Sequence, residues 1–518
     1  MKVESAVLCV ALLSMGAGCA EVTEADPIPE GIDQQEKGLD VFKSLAILDR
    51  KILEPFEFKR VLDQLVAQSG IPTMTSLQLY HQWWDTQNTG PSLGLGPNCD
   101  DQPGFPGLNQ FPWECPRVEG HQAFVNPWAD PNDPLYIPIG LFNRFDLAPS
   151  NGAHCGEYRV VFGMKPGHKL AKGKGRNFII FEAILPNPKP ALGLAGCKPV
   201  VKFWDNLSSL TTAQRKSDLE KFYFFGLTGF EPVIHVTHYG LMLGANGYGC
   251  STGQIRTNQF EQGPWNMREF KLVKDCRCDT GCQLLVVPMT VKTNPFGEMF
   301  NVASTEPRVP ALISEVSSQV PSLSVADLNR FSYEVSDKLN AAESPIDDPA
   351  QVNNYNQQFN SPLNGPFDAA INANLPVGST LSSQNIIDRT HALACAGCHQ
   401  QSNSVDLGDG LVWPDSLGFT HIDEFLDPAT DRYHVSPAMH DVFLPFREQV
   451  MDDFLVNGPP SGGAGKCEIQ LPSDFDMSPD ECKIAVRNPS VLKFPTEAIR
   501  MLRDRWEGPR ILGRRASH

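Results

Sequence analysis

The chain has 518 residues, with 43 Lys and Arg against 60 Asp and Glu, a formal net charge of −17. At about 100–200 residues per domain, that length predicts more than one domain. The acidic balance excludes a general nucleic-acid binder, because neutralising phosphates needs surplus Lys and Arg. A hydrophobic content of 41%, including 30 Phe, excludes wholesale disorder. The 14 Cys are the open question.

The first segment resembles an export signal. Lys2 gives a short positive start, and an apolar run follows from Ala6 to Met15, too short to span a bilayer. Gly16-Ala17-Gly18-Cys19 then resembles a bacterial lipobox, although Gly16 stands where a branched apolar residue is usual. Residues 1–18 are therefore expected to leave as a signal peptide, and Cys19 to be acylated. The alternative is ordinary cleavage near Gly18 or Ala20. The expected location is the periplasm or outer membrane of a Gram-negative bacterium, held by an N-terminal lipid anchor. An oxidising compartment favours disulfides among the remaining cysteines.

Residues 19–75 are expected to form an acidic tether and an N-terminal helical segment. Leu45, Leu48, Ile52 and Phe56, then Phe58, Val61, Leu62 and Leu65, recur at helical spacing, and Pro55 separates the two sets. Residues 76–345 are expected to be a β-rich domain, opening with ordered loops to about 135. Its short β-like runs are Tyr158–Phe162, Phe178–Ile184, Val200–Phe203, Val233–Val236 and Leu284–Val287. A helix interrupts them, beginning at the cap-like Thr211-Thr-Ala-Gln. Residues 311–345 look helical. Residues 346–382, rich in Asn, Gln, Pro and Ser, are expected to be a connector, and 383–518 a second compact domain.

Within that last region the chain reads Cys395-Ala396-Gly397-Cys398-His399, the C-x-x-C-H attachment signature of c-type haem. Two thiols one helical turn apart suit thioether bonds to one porphyrin edge, and the next imidazole reaches the iron from the same side. Small Ala396 and Gly397 leave room for the macrocycle. Ile386, Ile387, Thr390, Leu393, Ala394 and Gly397 fall on one side of a helix running into the motif. Three other readings compete: a redox or structural disulfide, half of a zinc site, or a haem site that has lost its haem. The surroundings lack a βαβ pattern and a second nearby cysteine pair.

On these residues, the segment from about 383 onward resembles a c-type cytochrome domain. The whole chain is also similar to large exported myxobacterial lipoproteins with one such motif near the C-terminus, a weaker similarity that carries no activity. The resemblance implies one covalent haem c, with Cys395 and Cys398 as thioether attachments and His399 as the proximal iron ligand. It also implies a distal Met some tens of residues on, and Met439 suits that spacing. His421, His440 and Met451 are the alternatives, with core packing the competing role for Met451, and an open site is a further possibility. A second ligand favours one-electron transfer to a redox partner the sequence does not identify. An open position favours peroxidase- or oxidase-like catalysis. A disulfide-stapled surface lipoprotein without haem is the non-catalytic alternative. The expected fold is α+β, a β-rich N-terminal domain followed by a mostly helical cytochrome c-like domain.

Setting aside Cys9, Cys19, Cys395 and Cys398 leaves ten cysteines, enough for five disulfides. Cys467 and Cys482 are a candidate pair. Cys276-Arg-Cys-Asp-Thr-Gly-Cys282 is dense enough for a metal knot, although disulfides, to Cys250 or others, are favoured in an exported chain. Arg144, Asp146, His154, Glu157 and Arg159 suggest a buried salt-bridge network more than a ligand site. His235 and His238, three apart in an expected strand, would lie on opposite faces and not share a metal. No G-x-S-x-G, Walker loop or H-E-x-x-H occurs. The tail from Lys483 to His518 inverts the global charge, with nine Lys and Arg against three acidic residues. A solvated helix is the simplest reading, and docking to acidic groups the functional one.

Overall fold

A computed structural model describes residues 39–459, except 89–110, 113, 169–174, 245–246, 249–252, 262, 277–280, 347–351 and 360–364. The signal, the Cys19 lipidation site, the Cys467–Cys482 pair and the basic tail lie outside the described residues. The fold is mixed, combining helices with a largely antiparallel sheet.

The strands are β1 (Ala46–Ile47), β2 (Tyr136–Arg144), β3 (His154–Met164), β4 (Arg176–Pro186), β5 (Gly240–Gly244), β6 (Gly247–Tyr248), β7 (Gln254–Phe260), β8 (Trp265–Asp275), β9 (Gln283–Met289) and β10 (Ser344–Ile346). A separate hairpin is β11 (Ile422–Asp427) and β12 (Arg432–Val435). Strands β2, β3, β4, β7 and β8 are antiparallel neighbours in that order. One edge of β8 meets β7 and then, in parallel, β5, and it also pairs antiparallel with β10 and β9. Gly240 allows β5 to approach, since a Cβ there would lie 1.9 Å from the Leu272 carbonyl oxygen.

Strand β3 is buried along its whole length, as expected of a strand covered on both faces. One face carries N-terminal helices. Phe58, which opens the helix Phe58–Ser69, sits 5.1 Å from the rings of Tyr136 and Phe162. Trp83 of the helix Ser76–Asp85 packs 5.9 Å from Phe181 and 5.7 Å from Phe270. The other face is covered by the C-terminal segment. There Arg176 grips Glu424 of β11 with two hydrogen bonds, at 2.7 and 2.8 Å. Residues on both sides of the expected 346–382 connector belong to one continuous core, which runs from Leu39 to Phe454.

Several expected elements differ. Ser76–Asp85 is a helix, not a loop, held by a capping box between Thr75 and Gln78. Val200–Phe203 lies in a helix, Lys198–Leu207, whose buried Val200, Val201, Trp204 and Leu207 follow a helical period. Val233–Val236 is outside the strands. Of 311–345, only Val309–Ser317 and Val320–Leu323 are α-helical, and the segment ends in β10. The connector carries two helices, Tyr355–Phe359 and Gly365–Asn374. The helix Thr212–Phe225 begins at Thr211, again through a capping box.

Candidate functional site

The motif follows the helix Ser383–Ala392, which opens with a capping box between Ser382 and Asn385. Ile386, Ile387, Thr390, Leu393 and Ala394 are all buried, but so are Asp388, Arg389, His391 and Ala392 between them, so the helix is enclosed all round and not on the expected side alone. Arg389 on the same helix is also buried. It donates to the carbonyls of Leu323, Val325, Leu407 and Gly408, and so ties the helix to two loops. Past the helix, the Cys395 amide donates to Asn294 Oδ1 at 3.3 Å and the Ala396 amide to Ser344 Oγ at 3.2 Å. The motif is thus pinned to the sheet region at β10.

Gly397–Gln401 then forms a π-helical turn, as does Ala438–Phe443 around Met439. Wide turns of this kind often occur at functional sites, because they re-aim side chains. Gly397 is required for a reason other than room for a macrocycle. A Cβ at this position would lie 1.8 Å from the His391 carbonyl oxygen.

Both Cys395 and Cys398 are buried thiols, not a disulfide. Burial pushes the Cys395 thiol up to about 12, with nearby Arg256 opposing. The His399 Nδ1 faces the Phe419 carbonyl at 2.8 Å, so it carries the ring proton and Nε2 carries the lone pair. This is how a carbonyl fixes the tautomer of a metal-ligating imidazole. Burial, the largest cause, lowers the His399 pKa to about 4 and keeps the ring neutral.

His399 opens into a cleft between the C-terminal segment and the sheet, with an enclosed volume of about 60 Å3. The sheet wall is built from alternate residues: Phe142 and Arg144 of β2, Arg159 and Val161 of β3, Phe178, Ile180 and Glu182 of β4, and Arg256 and Asn258 of β7. Register places them in rows, with Phe142 opposite Arg159, Arg159 opposite Glu182, and Ile180 opposite Arg256. The facing wall includes His399, Thr420, His421, Ile422, Met439 and Arg447.

The buried network expected at 144–159 is present and forms part of this cleft. Arg144 pairs with Asp146 at 2.8 Å, and Arg159 with Glu157 at 2.6 Å and Glu182 at 3.2 Å. His154 stands apart, its Nδ1 accepting from the Gly156 amide. Arg256 bridges Glu269 at 3.1 Å and Glu182 at 3.6 Å. Burial raises the pKa of Glu182 despite these arginines, while Arg159 and Arg144 hold Glu157 low against its own burial.

Met439 and His421 both line the cleft with His399. The Met439 amide donates to Ser436 Oγ at 3.1 Å, and Ser436 Oγ meets His421 Nδ1 at 2.8 Å. The other nitrogen of His421 lies 3.2 Å from Cys398 Sγ. One hydrogen-bonded chain therefore links the Met439 turn to the Cys398 thiol. His440 is 59% exposed and paired with Asp441, outside the cleft. Met451 is core, its sulfur accepting from Asn143 Nδ2 at 3.1 Å.

The donor set suits a covalent haem c. The thiols are free, the His399 lone pair lies on Nε2, and the cleft is lined by apolar side chains, four arginines and Glu182. Neither cysteine is itself a wall residue. Cys398 abuts the wall residue His421, and Cys395 packs in a cluster with the wall residue Met267.

Elsewhere Cys155 pairs with Cys197, Cys276 with Cys282, and Cys115 is disulfide-bonded. The Cys276–Cys282 bond closes within the dense cluster, which replaces the metal-knot reading for these two residues. No helix among the described residues is long and apolar enough to cross a membrane. No family model, curated protein or solved structure matches the chain.

Proposed function

We propose that this chain is an exported, lipid-anchored protein carrying one covalent haem c, and that it transfers single electrons. What supports the reading is the C-x-x-C-H motif with two free buried thiols and a His399 that lines a cleft, its Nδ1 held by the Phe419 carbonyl. Cys395 and Cys398 would hold the haem, His399 would be the proximal ligand, and Met439 the first candidate for the distal one. When bound, the haem supplies a one-electron iron couple, tuned by ligand and burial. The chain's own residues fix the His399 tautomer through Phe419 and exclude water with Phe142, Val161, Phe178 and Ile180. Arg144, Arg159, Arg256 and Arg447, each paired with a buried carboxylate, line the same cleft and would adjoin the bound group. Export and lipidation at Cys19 rest on the apolar N-terminal run and the Cys155–Cys197 disulfide, which suits an oxidising compartment.

The full chain, produced with haem c maturation and export, should give a c-type pyridine haemochrome at one haem per chain. A spectrum without that band overturns the reading. Replacing Met439 by Ala should turn a six-coordinate spectrum into one that binds CO rapidly. Rapid CO binding by the wild type would favour the catalytic alternative, an open haem with peroxidase- or oxidase-like chemistry.

A further inference from the structure

On the helix-covered side of the molecule, the chain between Thr212–Phe225 and β5 brings three potential metal ligands together. A strand would separate His235 from His238. The backbone instead forms a 3-10 turn at Val236–His238 with His235 as its N-cap. Side chains three apart eclipse in such a turn, and the two imidazole centroids lie 5.1 Å apart. Glu231 completes the group. Its Oε2 lies 3.4 Å from His238 Nε2 and 3.7 Å from His235 Nδ1.

His238 carries the second, independent observation. Its side chain is 0% exposed, and its Nδ1 donates to the Val233 carbonyl at 3.2 Å, which leaves the lone pair on Nε2. That Nε2 makes no hydrogen bond among the described residues and points into the cluster. The atom facing it at 3.4 Å is the Glu231 carboxylate oxygen, also an acceptor, and a cation between the two lone pairs satisfies both. The loop is also held in advance. Gln64 and Gln68 of the helix Phe58–Ser69 both donate to the Ile234 carbonyl, and Gln68 Oε1 accepts from the Val236 amide.

We propose that Glu231, His235 and His238 bind a zinc-class divalent cation, with a fourth position open to water. Two imidazoles and a carboxylate are a typical zinc donor set when one position stays open. Tetrahedral bonds of about 2.0–2.1 Å place donor atoms roughly 3.3 Å apart; the two separations to Glu231 are 3.4 and 3.7 Å, and all three donor atoms lie within 4.8 Å of one another. The His238–Val233 contact supplies the backbone carbonyl that orients such ligands. At His235 the metal would replace two contacts of Nδ1, with Thr237 Oγ1 at 2.7 Å and with the Thr237 amide at 3.4 Å. Glu231, 60% exposed, keeps the site open to solvent. The site is independent of the haem, since it shares no residue with the cleft.

The full-length protein, equilibrated with zinc sulfate and then dialysed into metal-free buffer, should retain one zinc per chain by elemental analysis, with iron counted separately. Zinc should raise the melting temperature of the wild type. Glu231→Gln, at an exposed position, should keep the native circular dichroism while losing most of the zinc and its thermal shift. His235→Gln combined with His238→Gln should abolish both. No zinc retained by the wild type, or equal retention by Glu231→Gln and by the double variant, overturns the proposal.

Discussion

At position 397 the backbone tolerates no side chain, because a Cβ would collide with the His391 carbonyl oxygen. Gly397→Ala should cost about 1–3 kcal/mol, the usual range for overpacking, and reduce covalent haem per chain. Thermal melts and haem-to-protein ratios check both effects, and an unchanged ratio would separate the packing role from haem attachment. His391 sets a pH dependence. It is fully buried, and burial drives its pKa down to about 3, with the side-chain hydrogen bond to Gln401 opposing. The unfolded chain, with an ordinary pKa near ~6.5, binds this proton first as pH falls. The folded state therefore loses stability from about pH 6.5 downward, by about 2 kcal/mol at pH 5 from this group alone. His391→Leu should flatten that part of a denaturation-versus-pH series. The sequence marks Gly397 as small, but the colliding carbonyl comes from the local path of the chain, which a motif does not specify.

At the scale of elements, local signals predicted best where chemistry acts over three or four residues. The Thr211 cap follows from sequence spacing, and Ser382 with Asn385 forms a cap of the same kind that the spacing also carried. The Thr75-x-x-Gln78 cap carried the same signal and would have revealed the helix Ser76–Asp85. Short apolar runs misled, because Val200–Phe203 has the composition of a strand while its burial follows a helical period. His235 and His238 illustrate the same ambiguity, since alternation separates them in a strand and a 3-10 turn reunites them. One further element can be tested through its crosslink. Cys155–Cys197 closes a stretch of 42 residues that joins β3 to the helix Lys198–Leu207 across β4. Loop-closure entropy assigns such a bond about 4 kcal/mol. Cys155→Ala with Cys197→Ala should lower unfolding free energy by roughly 2–4 kcal/mol in chemical denaturation, without changing the haem spectrum.

For the whole molecule, the cleft is shared between distant parts of the chain. Its sheet wall comes from residues 142 to 267 and its facing wall from 399 to 447. The expected division placed the chemistry in 383–518 alone, with the β-rich region lacking a role. One continuous core across that division gives the sheet one: it forms half of the pocket that His399 faces. A fragment of residues 383–518 should therefore fail to give a cooperatively melting haem protein when expressed with maturation. Circular dichroism melts and the haemochrome ratio measure this, and a fragment that matches the full chain would restore a separable haem domain.

The sequence by itself determined the local chemistry. The Cys395, Cys398 and His399 spacing and the Thr211 cap act over one helical turn or less, a distance that spacing along the chain encodes. Only the tertiary structure decided which distant residues meet them. The rows Phe142–Arg159–Glu182 and Ile180–Arg256 exist because antiparallel register brings alternate residues of four strands onto one face. That register is fixed by burial on both sides of the sheet, and burial depends on segments hundreds of residues apart.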